Sequence, residues 1–178
     1  MITLDDYTKP CESENGGVES VVVAKWCDID YANTTIADRS ITAITMKDGK
    51  KAYTWTPDLE QAFATDNGTG TRTNNSYFKT HALMVTFTDD EDTTAALAED
   101  AARSLIVAFV KYATPPDKDA KYKAYGFING LKLPTDESGT GQLYEDLRGH
   151  VLNFEGKELT RALTISDTLI ASILVPAS

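Results

Sequence analysis

The stretch Asp92 to Ala113 constrains the fold most, because nowhere else does the chain hold a long helical periodicity. Leu97, Ala101, Leu105, Ala108, Phe109 and Tyr112 recur at spacings of three and four, so they share one face of an α-helix. Ile106, Val107 and Val110 widen that face, as in a helix covered on more than one side. Asp89, Asp90, Glu91 and Asp92 stand at its start and Lys111 near its end, each with the sign that the helix dipole favours. Asp92 or Thr94 would cap the first turn, and Pro115-Pro116 would stop the helix. The pattern predicts one main helix over about residues 93–113, with strands and turns nearly everywhere else.

Those strands follow in order. Val18 to Ile29 alternates, with Val21, Val23 and Lys25 on one face and Val22, Ala24 and Trp26 on the other. A polar connection, Asp30 to Ser40, leads to strands at Ile41–Met46 and Lys51–Trp55, joined by the hairpin signal Asp48-Gly49. Leu59–Thr65 continues the sheet. Asp66 to Ser76 has no aliphatic or aromatic side chain and reads as a hairpin tip or contact loop. Tyr77 to Thr88 sets Tyr77, Lys79, His81, Leu83, Val85 and Phe87 against Phe78, Thr80, Ala82, Met84 and Thr86, a central strand feeding the helix. Past the helix, Tyr122–Ile128 and Leu131–Leu133 flank Asn129-Gly130, the strongest hairpin turn in the chain. Pro134–Gly141 reads as a flexible loop. Gln142–Leu147, His150–Phe154 and Glu158–Ala162 read as short strands punctuated by Arg148-Gly149 and Glu155-Gly156. Thr164–Val175 fits either a short helix capped by Ser166 or a strand. The expected fold class is α+β and β-dominated: a β-sandwich or barrel flanked by one main helix. Its parts are an extended N-terminal arm (1–17), a single β-rich domain (18–163) and a C-terminal segment (164–178).

Composition narrows the function. The 178 residues carry 27 acids against 17 lysines and arginines, a net charge of -10. Such a surface repels nucleic acid and gains nothing from phosphate neutralisation, although an acidic wall can still line a path through which DNA slides. The opening MITLDDYTKPCESENGG has no basic n-region and no apolar run, so no signal peptide is expected. The longest apolar stretches, Leu105–Val110 and Leu169–Val175, are far shorter than the roughly 20 residues of a membrane span. Synthesis in a cytosol is expected, with Cys11 and Cys27 as reduced thiols, one of them packed beside Trp26.

No residue set announces chemistry. Nucleophilic catalysis needs a base, and the two histidines, His81 in a strand and His150 after a tight turn, accompany no nucleophile elbow. The acids 89–92 are consecutive and lack the alternate spacing and turn glycine of a calcium loop, so dipole compensation accounts for them. Asp28 and Asp30 read as a solvated strand end. Gly68-Thr69-Gly70 and Gly139-Thr140-Gly141 lack a following helix and the P-loop lysine. Lys121-Tyr122-Lys123-Ala124-Tyr125 could stack bases, but the net charge favours an outward strand face whose lysines protect an edge. The expectation is a non-enzyme without cofactor or metal.

The run KAYGFINGLKLPTDESGTGQLYEDLRGHVLNFEGKEL, Lys123 to Leu159, resembles the tail tube, or major tail, proteins of long-tailed bacteriophages, especially those infecting Bacteroidetes. The features that carry the resemblance are a strand ending at Gly126, the turn Asn129-Gly130-Leu131, Thr140-Gly141, the turn Asp146–Gly149, and Gly156–Glu158. The resemblance implies a virion component, made in the host cytoplasm and resident in the tail. Six copies would join sheets edge to edge into a ring around a lumen, and rings would stack into a tube through which phage DNA passes without specific binding. Partners would be further copies and other tail proteins, with no membrane. The segments long enough to reach a neighbouring ring are the arm, the polar loop and the tail. They place candidate inter-subunit contacts at Leu4 and Tyr7, at Asp66, Asn67, Thr69, Thr71, Arg72, Asn74 and Asn75, and at Leu169 and Ile173. The alternatives are another virion part (tail terminator, connector or decoration protein), a small-molecule-binding β-barrel, and, last, a hydrolase using Asp28, Asp30 or the 89–92 acids.

Overall fold

The computed structural model describes residues 16–58, 60–71, 73, 76–89, 91–113, 122–140 and 147–175. Two sheets face each other. The larger has seven strands: β1 (Val18–Lys25), β2 (Thr35–Ala37), β3 (Ser40–Ala43), β4 (Tyr53–Trp55), β7 (Ile106–Tyr112), β8 (Tyr122–Tyr125) and β11 (Leu163–Ile165), in the order β2-β3-β11-β8-β7-β1-β4. The smaller has four: β5 (Ala62–Thr71), β6 (Ser76–Phe87), β9 (Lys132–Gly139) and β10 (Gly149–Glu158), in the order β5-β6-β10-β9. All pairings are antiparallel except β11 with β3. Neither sheet closes on itself, so the sandwich expectation stands and the barrel does not.

The expected 93–113 helix is two elements. Helix α1 runs Asp92–Arg103, and the chain re-enters as strand β7 three residues later. The Ala-rich half keeps the helix. The β-branched and aromatic half, Ile106-Val107-Ala108-Phe109-Val110, lies wholly buried between β1 and β8. A run apolar on every side satisfies a helical period by accident, yet a strand covered on both faces uses all of it. Alternate residues of β7 and β1 accordingly serve two cores. Val21, Val23, Ile106, Ala108 and Val110 pack toward the smaller sheet, with Leu83, Val85, Leu152 and Phe154. Val22, Ala24, Val107 and Phe109 pack the other way, under Ile29, Ile41, Met46 and helix α2 (Asp167–Ile173). The start of α1 also differs from expectation: Glu91 is the N-cap residue, and its side chain makes no capping bond.

Turn signals located the turns better than their partners. Asp48-Gly49 does turn, with Gly49 at φ +68° and Lys50 N–H donating to the Lys47 carbonyl at 2.9 Å. The strands it joins do not pair, however: β3 joins β2 and β11, whereas β4 joins β1 at the far edge. Asn129-Gly130 likewise carries the chain from β8 in one sheet to β9 in the other. The true hairpin missed in the sequence is β2–β3, turned by Asp38 and Arg39 at φ 47° and 63°. The expected loop at 134–141 is strand β9 as far as Gly139, and Glu155-Gly156 passes straight through β10. Most of the strand expected at 142–147 lies outside the described residues. Of the two readings of the C-terminal segment, the structure takes the helix, although the Ser166 hydroxyl meets the Thr168 hydroxyl and caps no N–H.

Candidate functional site

Strands β5 and β6 are the longest pair in the chain, in register from Ala62 opposite Val85 to Thr71 opposite Ser76. Strand β10 supports β6 only as far as Lys79. Beyond that point the pair runs on as a two-stranded ribbon whose residues 67–71, 76 and 77 are exposed. A ribbon of two strands has little stability of its own. The polar stretch read as a loop is therefore mostly strand, with the turn confined to its tip.

A polar cluster fills the root of the ribbon, where the inward face of β6 changes from Val85 and Leu83 to His81, Lys79 and Tyr77. His81 is 2% exposed. Its Nδ1 accepts the Gly126 N–H at 3.1 Å, so the proton sits on Nε2, which donates to the Thr160 carbonyl at 3.1 Å. Burial lowers the pKa of this imidazole, against the pull of the Asp66 carboxylate 3.8 Å away. With both nitrogens engaged by backbone, His81 clamps β6 to two connections, one after β8 and one after β10. The Asp66 carboxylate accepts the Ala162 N–H at 3.0 Å and lies 3.8 Å from Arg161. The Tyr125 ring stands edge-on to His81, and its hydroxyl, whose pKa burial raises, meets that of Tyr112. The Lys79 ammonium donates to the Tyr77 hydroxyl and lies over the Tyr77 ring.

A second buried acid fixes the crossover between sheets. Glu158, 2% exposed, accepts the N–H groups of Ile128 and Asn129 at 3.1 and 2.9 Å. Burial raises its pKa while those two bonds oppose the rise. Trp26 Nε1 and the Tyr31 hydroxyl donate to the carbonyls of Ile128 and Phe127. Gly126 holds φ +66°, and a Cβ there would come within 2.8 Å of the Leu131 nitrogen. The residues thus build a rigid joint between the sheets.

The expected contact residues divide. Asn67, Thr69 and Thr71 are exposed on the ribbon. Asp66 is instead an internal partner of Ala162, His81 and Arg161. Ile173 is 1% exposed in the second core and Leu169 packs against it, so both contact their own chain. Leu4, Tyr7, Arg72, Asn74 and Asn75 lie outside the described residues, as does Cys11. Cys27 is exposed, with Sγ 3.7 Å from Asp28 rather than packed into an apolar site. No role was legible in the sequence for Tyr77, Lys79 or Arg161, and Glu158 entered only through the pattern Gly156–Glu158. The alternation Tyr77, Lys79, His81, Leu83, Val85 was visible, but with apolar residues on both faces it did not say which face turns inward.

The carrier alternative required an interior cavity. A cleft of about 910 Å³ between β4 and α1, lined by Lys25, Tyr53, Trp55, Leu97, Asp100 and Ile106 among others, is open to solvent rather than interior. No family model, curated protein or solved structure matches the chain.

Proposed function

We propose that this chain is a structural subunit of a phage tail tube, joining further copies into rings that stack as a conduit for DNA. The observation that carries the reading is the four-stranded sheet. One of its faces is buried against the larger sheet, and its edges, β5 and β9, are bonded on one side only. Such edges invite pairing with another copy. Six copies would supply 24 strands. At a spacing of about 4.8 Å and a tilt of about 40° these close into a barrel roughly 48 Å across the backbone, wide enough for a DNA duplex after side chains.

The face turned away from the core would line that bore. By register it presents Thr65, Asn67, Thr80, Ala82 and Asn153 interleaved with Phe63, Phe78, Met84 and Val151, and Lys132 and Lys157 are balanced by Glu137 and Glu155. Instead of the expected acidic wall, the described residues give a charge-balanced face in which polar and apolar side chains are mixed. It has little to hold a phosphate backbone with, since tight binding needs a run of unopposed cations. The ribbon, projecting past the sheet, is the element placed to reach the next ring. A terminator or connector ring would use the same edges without stacking.

Solution mass measured over a wide concentration range tests the reading. Growth into rings or polymers is expected. A chain that stays monomeric throughout, even with a tail initiator complex added, would count against it.

A further inference from the structure

Lys79 is 5% exposed, yet among the described residues its ammonium donates only to the Tyr77 hydroxyl and lies over that ring. Among the described residues no carboxylate lies within ion-pair distance of it. The two acids near it on neighbouring strands face other groups: Asp66 gives one oxygen to the Ala162 N–H and Arg161 and turns the other, buried and without a hydrogen bond among the described residues, toward His81, while Glu158 takes the N–H groups of Ile128 and Asn129. Opposite Lys79 stands Gly68, where a Cβ would lie 2.6 Å from the ammonium nitrogen. The glycine leaves a notch, and the lysine nitrogen sits in it. An enclosed ammonium with one neutral partner weakens a fold that a methionine would pack equally well. A charge kept at such a place is better explained by a partner that arrives later.

The surroundings indicate what that partner is. Arg161, its side chain 56% exposed, adds a second cation beside Asp66. Tyr77, 60% exposed on the unsupported ribbon, can swing off the ammonium. The local balance of Lys79, Arg161 and Asp66 is one positive charge on a chain whose net charge is -10. We infer that Lys79, Arg161 and Tyr77 form a docking notch for a carboxylate side chain of a second copy. The inference rests on the proposed self-assembly for its partner. The incoming carboxylate would replace the Tyr77 hydroxyl at Nζ and take a further bond from Arg161, a charge-assisted pair stronger than the neutral contact it displaces.

Two variants, Lys79→Met and Arg161→Gln, test this by two readouts each, thermal melting of the monomer and the self-association constant against salt. Lys79→Met should melt at or above the wild-type temperature yet associate at least tenfold more weakly, with a flatter salt dependence. Arg161→Gln, at an exposed position, should leave melting unchanged and weaken association less. If Lys79→Met associates as well as wild type, or loses melting temperature, the lysine serves only its own chain and the notch is overturned. Unaltered tubes from Lys79→Met would overturn the notch and leave the tail-tube reading intact. Wild-type assemblies that are not tubes, but that Lys79→Met weakens, would do the reverse. No association of the wild-type chain at any concentration would overturn both.

Discussion

At the scale of residues, two buried ionisable side chains hold the sheets in register, and each makes a measurable prediction. His81 is neutral in the folded chain because burial lowers its pKa from 6.5. The unfolded chain therefore takes up a proton that the folded one refuses. This contribution to stability is complete above about pH 6.5 and declines as pH falls, by up to about 1.4 kcal/mol per pH unit, until the folded-state pKa is reached. Charging would also put a proton on Nδ1, where the Gly126 N–H now points. Melting followed from pH 8 to 5 should show a decline that is reduced in His81→Gln, and equal slopes would contradict it. Glu158→Ala would take the acceptor from two part-buried N–H groups and cost about 2 kcal/mol, read in a denaturant titration. Little of this was legible in sequence. The face carrying His81 could be seen, but Gly126 and Thr160 lie 45 and 79 residues away, and nothing local encodes such partners.

Elements were easier to recognise than to pair. Alternation in β1 correctly assigned Val21 and Val23 to one face and Val22 and Ala24 to the other, and these face two different cores. Alternation reports burial directly, whereas pairing depends on the rest of the chain. That is why Asp48-Gly49 and Asn129-Gly130 were real turns without being hairpins. The split of the expected helix into α1 and β7 has the same origin: Ile106–Val110 is apolar at every position, so its period is undefined until a second covering layer is known. Hydrogen exchange separates the two assignments. Amides of Val107–Val110, paired with β1 and β8, should exchange only through global unfolding, whereas those in the first turn of α1 should exchange much faster. Uniform protection across 93–112 would instead indicate one continuous helix.

For the whole molecule, the two sheets differ in what they leave uncovered. The larger is packed on both faces, so it is scaffold. Both sheets are open at their edges, but the smaller also presents an outer face and a projecting ribbon, and the proposed assembly assigns the contacts to it. Replacing residues 70–77 by an Asn-Gly turn between Thr69 and Phe78 should leave the monomer's melting temperature within a few degrees, because the described residues of that stretch are exposed and join neither core. It should nonetheless prevent stacking, which light scattering would register. Loss of the fold instead would mean that the ribbon supports its own sheet. Electron microscopy of the concentrated wild-type protein tests the central claim most directly. The account predicts rings or hollow tubes of uniform width, with a bore bounded by the four-stranded sheets. Solid filaments, or particles no larger than one 178-residue chain even when seeded with a tail initiator complex, would contradict it.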